Sequence, residues 1–126
     1  MADNSGQQKQ TLGRFGEDKA VDYLIFQGYT IIERNFRCRL GEIDIIASRG
    51  KYIVFAEVKL RKNSEFGTAA EFITYSKQQK VRKAAEYYLA FRPQQLQPRF
   101  DAVEVYAPDG IGGAVSINHI EDAFGW

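Results

Sequence analysis

The chain has 126 residues, with 17 Lys+Arg against 16 Asp+Glu for a net charge of +1, and 44% of it is hydrophobic. That length holds one core rather than two, and the balanced charge excludes a protein that coats nucleic acid through net charge alone. The single cysteine, Cys38, excludes an internal disulfide framework and fits a reducing, cytoplasmic compartment. No run approaches the roughly 20 apolar residues of a membrane span, and Met1–Gln10 has no signal-peptide core, so no membrane association is expected.

In chain order, residues 1–10 read as a flexible polar segment and residues 11–126 as a single domain. A helix is predicted from Thr11, because Leu12, Phe15, Ala20, Val21, Leu24 and Ile25 gather near one face at helical spacing. Gly28 follows, where a helix end favours a residue tolerant of positive φ. Three strand patterns come next, at Tyr29–Cys38, Glu42–Ser48 and Tyr52–Leu60. The short Arg49-Gly50-Lys51 link predicts a hairpin between the last two, and an antiparallel pair joined near Arg39–Gly41 is expected between the first two. Thr68 with Glu71 and Ser76 with Gln79 each fit a capping box. Val81, Ala84, Ala85, Tyr88 and Leu89 then form a helical stripe that Pro93 ends. Phe100–Tyr106 and Ala114–Ile120 are the last two strands, separated by the Pro108-Asp109-Gly110 and Gly112-Gly113 turns. The order α-β-β-β-α-β-β predicts an α/β fold, a mixed β-sheet flanked by helices.

Charge is uneven along this order. Residues 58–99 hold nine Lys/Arg and three acids, whereas residues 100–126 hold five acids and no Lys or Arg. A neutral total therefore conceals a basic region, which reads equally as a nucleic-acid face or as solvated helix surface. On the third strand Ile53, Phe55, Glu57 and Lys59 share one face, and Tyr52, Val54, Ala56, Val58 and Leu60 the other. Large apolar groups on both faces predict a central strand covered on both sides. A two-residue Arg49-Gly50 turn would set Ser48 opposite Lys51, Asp44 diagonal to Glu57 and Glu42 directly opposite Glu57. Any even-length loop without a bulge keeps these acids on one face. Adjacent carboxylates repel unless one is protonated or a cation lies between them. A hard divalent ion satisfies that arrangement, and a nearby lysine stabilises charge on a phosphate, which is the chemistry of phosphodiester hydrolysis. The competing reading is a surface hairpin of alternating charges, partly neutralised by Lys59.

Asp44 followed by Glu57-Val58-Lys59 on the next strand resembles the PD-(D/E)xK nuclease core. Further marks are Gly13-Arg14-Phe15-Gly16-Glu17, Gly41-Glu42-Ile43-Asp44, Phe55-Ala56-Glu57-Val58-Lys59-Leu60-Arg61, Phe66-Gly67, Lys77 and Arg99-Phe100-Asp101. With them the chain resembles, from about Gly13 to Phe124, the YraN-type family of small bacterial proteins, which are similar to archaeal Holliday-junction resolvases. The resemblance implies a restriction-endonuclease-like core, with Asp44, Glu57 and Glu17 as metal-binding acids, the Val58 carbonyl as a further ligand and Lys59 as the catalytic lysine. It implies Mg²⁺ or Mn²⁺ as cofactor, DNA (branched DNA included) as partner, and a homodimer. Ile43 stands where the wider superfamily carries proline. Glu17 rests on the resemblance; by itself it is an ordinary acid near a helix start.

Lys77, Lys80 and Lys83, with Arg82, lie along the second helix, and Arg37, Arg39 and Arg61 extend the set of candidate nucleic-acid contacts. Gly13 and Gly16 do not make a dinucleotide fingerprint but would let the first helix approach the sheet. Arg99 and Asp101 are expected to form a structural ion pair, Tyr88 to be core, His119 to lie at the surface and Cys38 to be buried. Tyr75 and Tyr87 are candidates for stacking on bases. The sequence thus points to a metal-dependent endonuclease acting on DNA. A non-catalytic nucleic-acid-binding module on the same fold and a protein-interaction scaffold are the alternatives.

Overall fold

The computed structural model describes residues 11–62 and 73–126. Helix α1 (Leu12–Phe26) begins at Thr11, whose hydroxyl accepts the Arg14 amide hydrogen. It ends before Gly28, which takes φ +94°. Strands β1 (Thr30–Cys38), β2 (Gly41–Arg49) and β3 (Tyr52–Arg61) follow, then helix α2 (Tyr75–Phe91), β4 (Gln97–Tyr106) and β5 (Ser116–Phe124). The order is the predicted α-β-β-β-α-β-β. The five strands lie in the order β1-β2-β3-β4-β5. Their only parallel pair is β3 with β4, which the α2 crossover connects. No helix among the described residues is long and apolar enough to cross a membrane.

One helix covers each face. Ala20, Val21 and Leu24 of α1 pack on Ile45, Ala47, Val54, Ala56, Val103 and Val105. Val81, Ala84, Ala85 and Tyr88 of α2 pack on Phe36, Ile43, Ile46, Ile53, Phe55 and Phe100. Two-sided burial makes Ile53 to Glu57 a continuous buried run on β3, as its two apolar faces predict. Each large apolar side chain so buried contributes about 1.5–3 kcal/mol relative to exposure. Of the two glycines in α1, Gly16 is the one pressed to the sheet: a Cβ there would lie 3.0 Å from the Leu60 side chain, whereas one at Gly13 would meet nothing within 4 Å.

Three local expectations are corrected. The α2 cap is Thr74, not Ser76: Thr74 is extended and its hydroxyl accepts the Lys77 amide hydrogen, while Ser76 already lies inside the first turn. The alternative box at Thr68 and Glu71 lies outside the described residues. The hairpin turn is Gly50-Lys51, with Arg49 opposite Tyr52 and Ser48 opposite Ile53. Gly50 occupies the first central position at φ +58°, which a two-residue hairpin loop favours and which an Arg49-Gly50 loop would have given to arginine. The last strand starts and ends later than Ala114–Ile120, because a register shift against β4 and Asp122 at φ +55° carry it on to Phe124.

Candidate active site

The sheet is irregular where the acids sit. On β2, Ile45 and Ala47 face α1 and Ile46 faces α2, so strict alternation would send Ile43 to α1; it packs under α2 instead. On β1, Arg34 reaches α1 while Phe36 packs under α2. Arg34 pairs with Ile45 and Phe36 with Ile43, so both slips fall at the same level, between Asn35 and Asp44. Asn35 supplies the kink through φ 54°, a conformation asparagine tolerates better than most residues. The β2–β3 pairing ends at Ile45 opposite Ala56. Beyond it the Val58 amide donates to the Asp44 carboxylate, at 2.8 Å from Oδ2. The irregularity thus releases Asp44 from the ladder and aims it at β3.

Glu57 lies on β3 at this opening and is 2% exposed. Burial first, and the neighbouring Asp44 charge second, push its carboxyl up to about 8. Burial also raises Asp44, against the Val58 amide and the Lys77 charge, which lower it. Lys77 Nζ stands 3.3 Å from Glu57 Oε2 and 4.0 Å from Glu42 Oε2. Glu42 also pairs with Arg37 at 3.2 Å. Glu42 and Glu57 therefore meet through Lys77 rather than as the direct cross-strand pair expected from the Arg49-Gly50 register. Among the described residues no N–H donor reaches the buried Glu57 Oε1, and the Glu57 and Asp44 carboxyls lie close enough to share a proton. An unsatisfied buried carboxylate oxygen is costly, and a bound cation would relieve it.

Glu17 projects from α1 into the same opening. It shares a cavity of about 660 Å³ with Asp44, Val58, Arg14, Arg34 and Arg37. Its Oε1 already accepts from Arg34 Nη2 at 2.6 Å and from Asn35 Nδ2 at 3.0 Å, and Arg34 also reaches Asp18 at 2.6 Å. Among the described residues no three His, Cys, Asp or Glu side chains converge as a ready-made metal cage. Asp44 and Glu57 come together, and Glu17 stands behind its own arginine. The orphaned Glu57 Oε1 and the doubly acidic pair nevertheless fit a hard cation with oxygen ligands. Lys59 follows Glu57 by two residues on β3, is half-buried and has no ion pair with a described residue.

Arg37, Arg39, Lys77 and Lys80 line a second cavity of about 490 Å³ at the start of α2, with Cys38 half-buried in its wall. Lys83 is exposed farther along α2, and Arg61 is half-buried at the end of β3. Elsewhere Arg99 and Asp101 form the expected ion pair at 2.7 Å, and Tyr88 is core at 1% exposure. His119 departs from expectation: its side chain is 4% exposed and Nε2 lies 2.7 Å from Asp101. The fully buried Asp101 carboxylate needs several partners, and His119 is one of them. Sequence patterns missed the roles of Arg34 and Asn35. An asparagine inside a strand pattern was the available signal for the kink.

Comparison with known proteins agrees with these motifs. The model of the uncharacterised protein family UPF0102 matches residues 16–105. A UPF0102 protein of Caldicellulosiruptor bescii is 51% identical over 115 residues, covering 90% of this chain and 96% of the relative. UPF0102 proteins of Caldanaerobacter subterraneus and Thermodesulfovibrio yellowstonii are 45% and 43% identical, covering 92% and 90% of this chain and 96% and 95% of those relatives. With the family match spanning most of the sheet and both helices, the chain belongs to family UPF0102, the YraN-type family that its motifs resemble.

Proposed function

We propose that the protein is a metal-dependent endonuclease that hydrolyses phosphodiesters in cytoplasmic DNA. The observation that carries the proposal is the pairing of half-buried Asp44 with buried Glu57, whose Oε1 no donor among the described residues reaches, at a cavity that Asp44 lines together with three arginines. Asp44, Glu57 and the Val58 carbonyl would hold Mg²⁺ or Mn²⁺, with Glu17 completing the set. When bound, the metal supplies charge for the phosphate and acidity for a water molecule. Asp44 is oriented by the Val58 amide and so is fixed before substrate arrives. The Asp44–Glu57 pair holds one proton at neutral pH, leaving one negative charge that Lys77 balances, until a cation takes the proton's place. Arg14, Arg34 and Arg37 line the cavity as phosphate donors. Lys59, beside Glu57 on β3 and not among the residues lining that cavity, would stabilise charge on the attacked phosphate. Likeness to resolvases adds branched DNA as substrate and a homodimer as the working form.

The test is cleavage of plasmid and four-way-junction DNA in Mg²⁺ and in Mn²⁺, with a chelator control. Asp44→Asn and Lys59→Ala are each expected to lower cleavage by about 10²-fold or more while DNA binding survives. Cleavage that persists in both variants, or in chelator, overturns the assignment. One observation favours a second reading, a binding module without catalysis: Lys77 and Arg34 already stand against Glu57 and Glu17 and balance their charge. Binding without cleavage in either metal would select it.

A further inference from the structure

The other end of the hairpin carries a separate basic cavity. Arg49 lies five positions beyond Asp44 along β2, or about 16 Å at strand rise. Here Arg49, Lys51, Arg99, Tyr29, Tyr52 and Glu121 enclose about 300 Å³. None of these residues belongs to the candidate active site.

The cations are pre-positioned. The Arg49 guanidinium lies 5.3 Å from the Tyr29 ring centre; Lys51 and Arg99 lie 5.4 Å and 4.8 Å from that of Tyr52. Arg99 is held most firmly: Nε and Nη2 donate to buried Asp101 at 2.9 Å and 2.7 Å, and Nη2 also donates to the Tyr29 hydroxyl at 2.7 Å. His119 and the Asp122 amide bind the same Asp101 carboxylate and fix it in turn. That leaves Arg99 Nη1, which among the described residues has Glu121 as its acidic neighbour, at 3.8 Å. Glu121 is 56% exposed and so is a loosely held anion at the cavity mouth. Arg49 and Lys51 have no ion pair with a described residue. Clustered like charges are unfavourable unless an anion joins them; Asp101 already balances Arg99, which leaves exposed Glu121 against the two further cations Arg49 and Lys51.

We propose that this cavity binds a phosphate group, with Arg99 Nη1, Arg49 and Lys51 as donors and Glu121 as the internal anion that the phosphate displaces. The group would come either from a free phosphorylated small molecule or from a nucleic-acid backbone. Arginine geometry suits either. The site stands independently of the Asp44–Glu57 chemistry.

The test is titration of the full chain with inorganic pyrophosphate, followed by amide and arginine Nε resonances in ¹⁵N NMR. Saturable shifts are expected at Gly50, Lys51, Tyr52 and Arg99 Nε. Arg49→Ala and Lys51→Ala, both at exposed positions, should each weaken binding about tenfold. Glu121→Gln should tighten it several-fold, because the competing anion is gone. A short oligonucleotide without terminal phosphate that moves the same resonances, in competition with pyrophosphate, identifies the backbone as source; one that leaves them still identifies a free phosphate ligand. Unshifted resonances at millimolar pyrophosphate, unchanged affinity in Arg49→Ala or Lys51→Ala, or a Glu121→Gln variant no tighter than wild type overturns the site.

Discussion

Glu57 concentrates the conflict that defines the site. Its carboxyl is raised from an ordinary 4.5 to about 8 by burial and by Asp44, while Lys77 pulls the other way. The folded state therefore holds a proton that the unfolded chain releases between those two values. Stability from this group is fully present below about 4.5 and is lost as pH rises through about 8. Asp101 has the opposite sign: although buried, it is lowered by bonds from His119, Arg99 and the Asp122 amide, so its contribution fails only in acid. Without divalent metal, urea unfolding should thus give less stability at pH 8 than at pH 5, by roughly a few kcal/mol. Glu57→Gln should flatten the profile, and a wild-type profile already flat over that range would refute the account. Spacing along the hairpin made Asp44 and Glu57 legible as a pair, because an even-length turn keeps them on one face; the slip at Asn35 and Asp44 that frees Asp44 from the ladder was not legible. The Lys77 contact was not legible, since it depends on how a helix far along the chain settles on the sheet.

Helix α2 settles where it does because Gly41 lets it. A Cβ at Gly41 would lie 2.3 Å from the Lys80 carbonyl oxygen, a backbone atom that cannot rotate away. This close approach sets the start of α2 over the β1–β2 turn and carries Lys77 to Glu42 and Glu57. Gly41→Ala should therefore cost about 1–3 kcal/mol, the range for forced overpacking, measurable as a lowered urea midpoint. It should also weaken the Lys77 contact, so the Glu57 titration should move farther up. A variant as stable as wild type would show that α2 is not seated by this contact. Element order and the two apolar faces of β3 followed from periodicity, which burial enforces directly. Register and caps followed less well. The turn depended on which position glycine takes, and the α2 start on Thr74 being extended; both are backbone choices that side-chain pattern only weakly constrains.

Across the molecule the charge division survives folding in altered form. The acidic segment 100–126 loses two of its five acids to the interior, since Asp101 and Glu104 are 0% and 1% exposed. The alternation of β4 could not forecast this, because that strand is buried on both faces from Phe100 to Val105. The basic side keeps Arg37, Arg39, Lys80 and Lys83 exposed, while Lys77 is committed to Glu57. If these four exposed cations meet DNA phosphates, the logarithm of affinity should fall with the logarithm of salt with a slope of about −3 to −4. Lys80→Ala and Lys83→Ala should each reduce that slope by about one, uniformly across DNA sequences, without changing cleavage of DNA already bound at low salt. Lys77→Ala should leave the slope nearly unchanged, because its charge is spent inside the protein. A steep loss of slope in Lys77→Ala, with none in Lys80→Ala or Lys83→Ala, would mean that DNA approaches through the acidic opening itself and that α2 is only its wall.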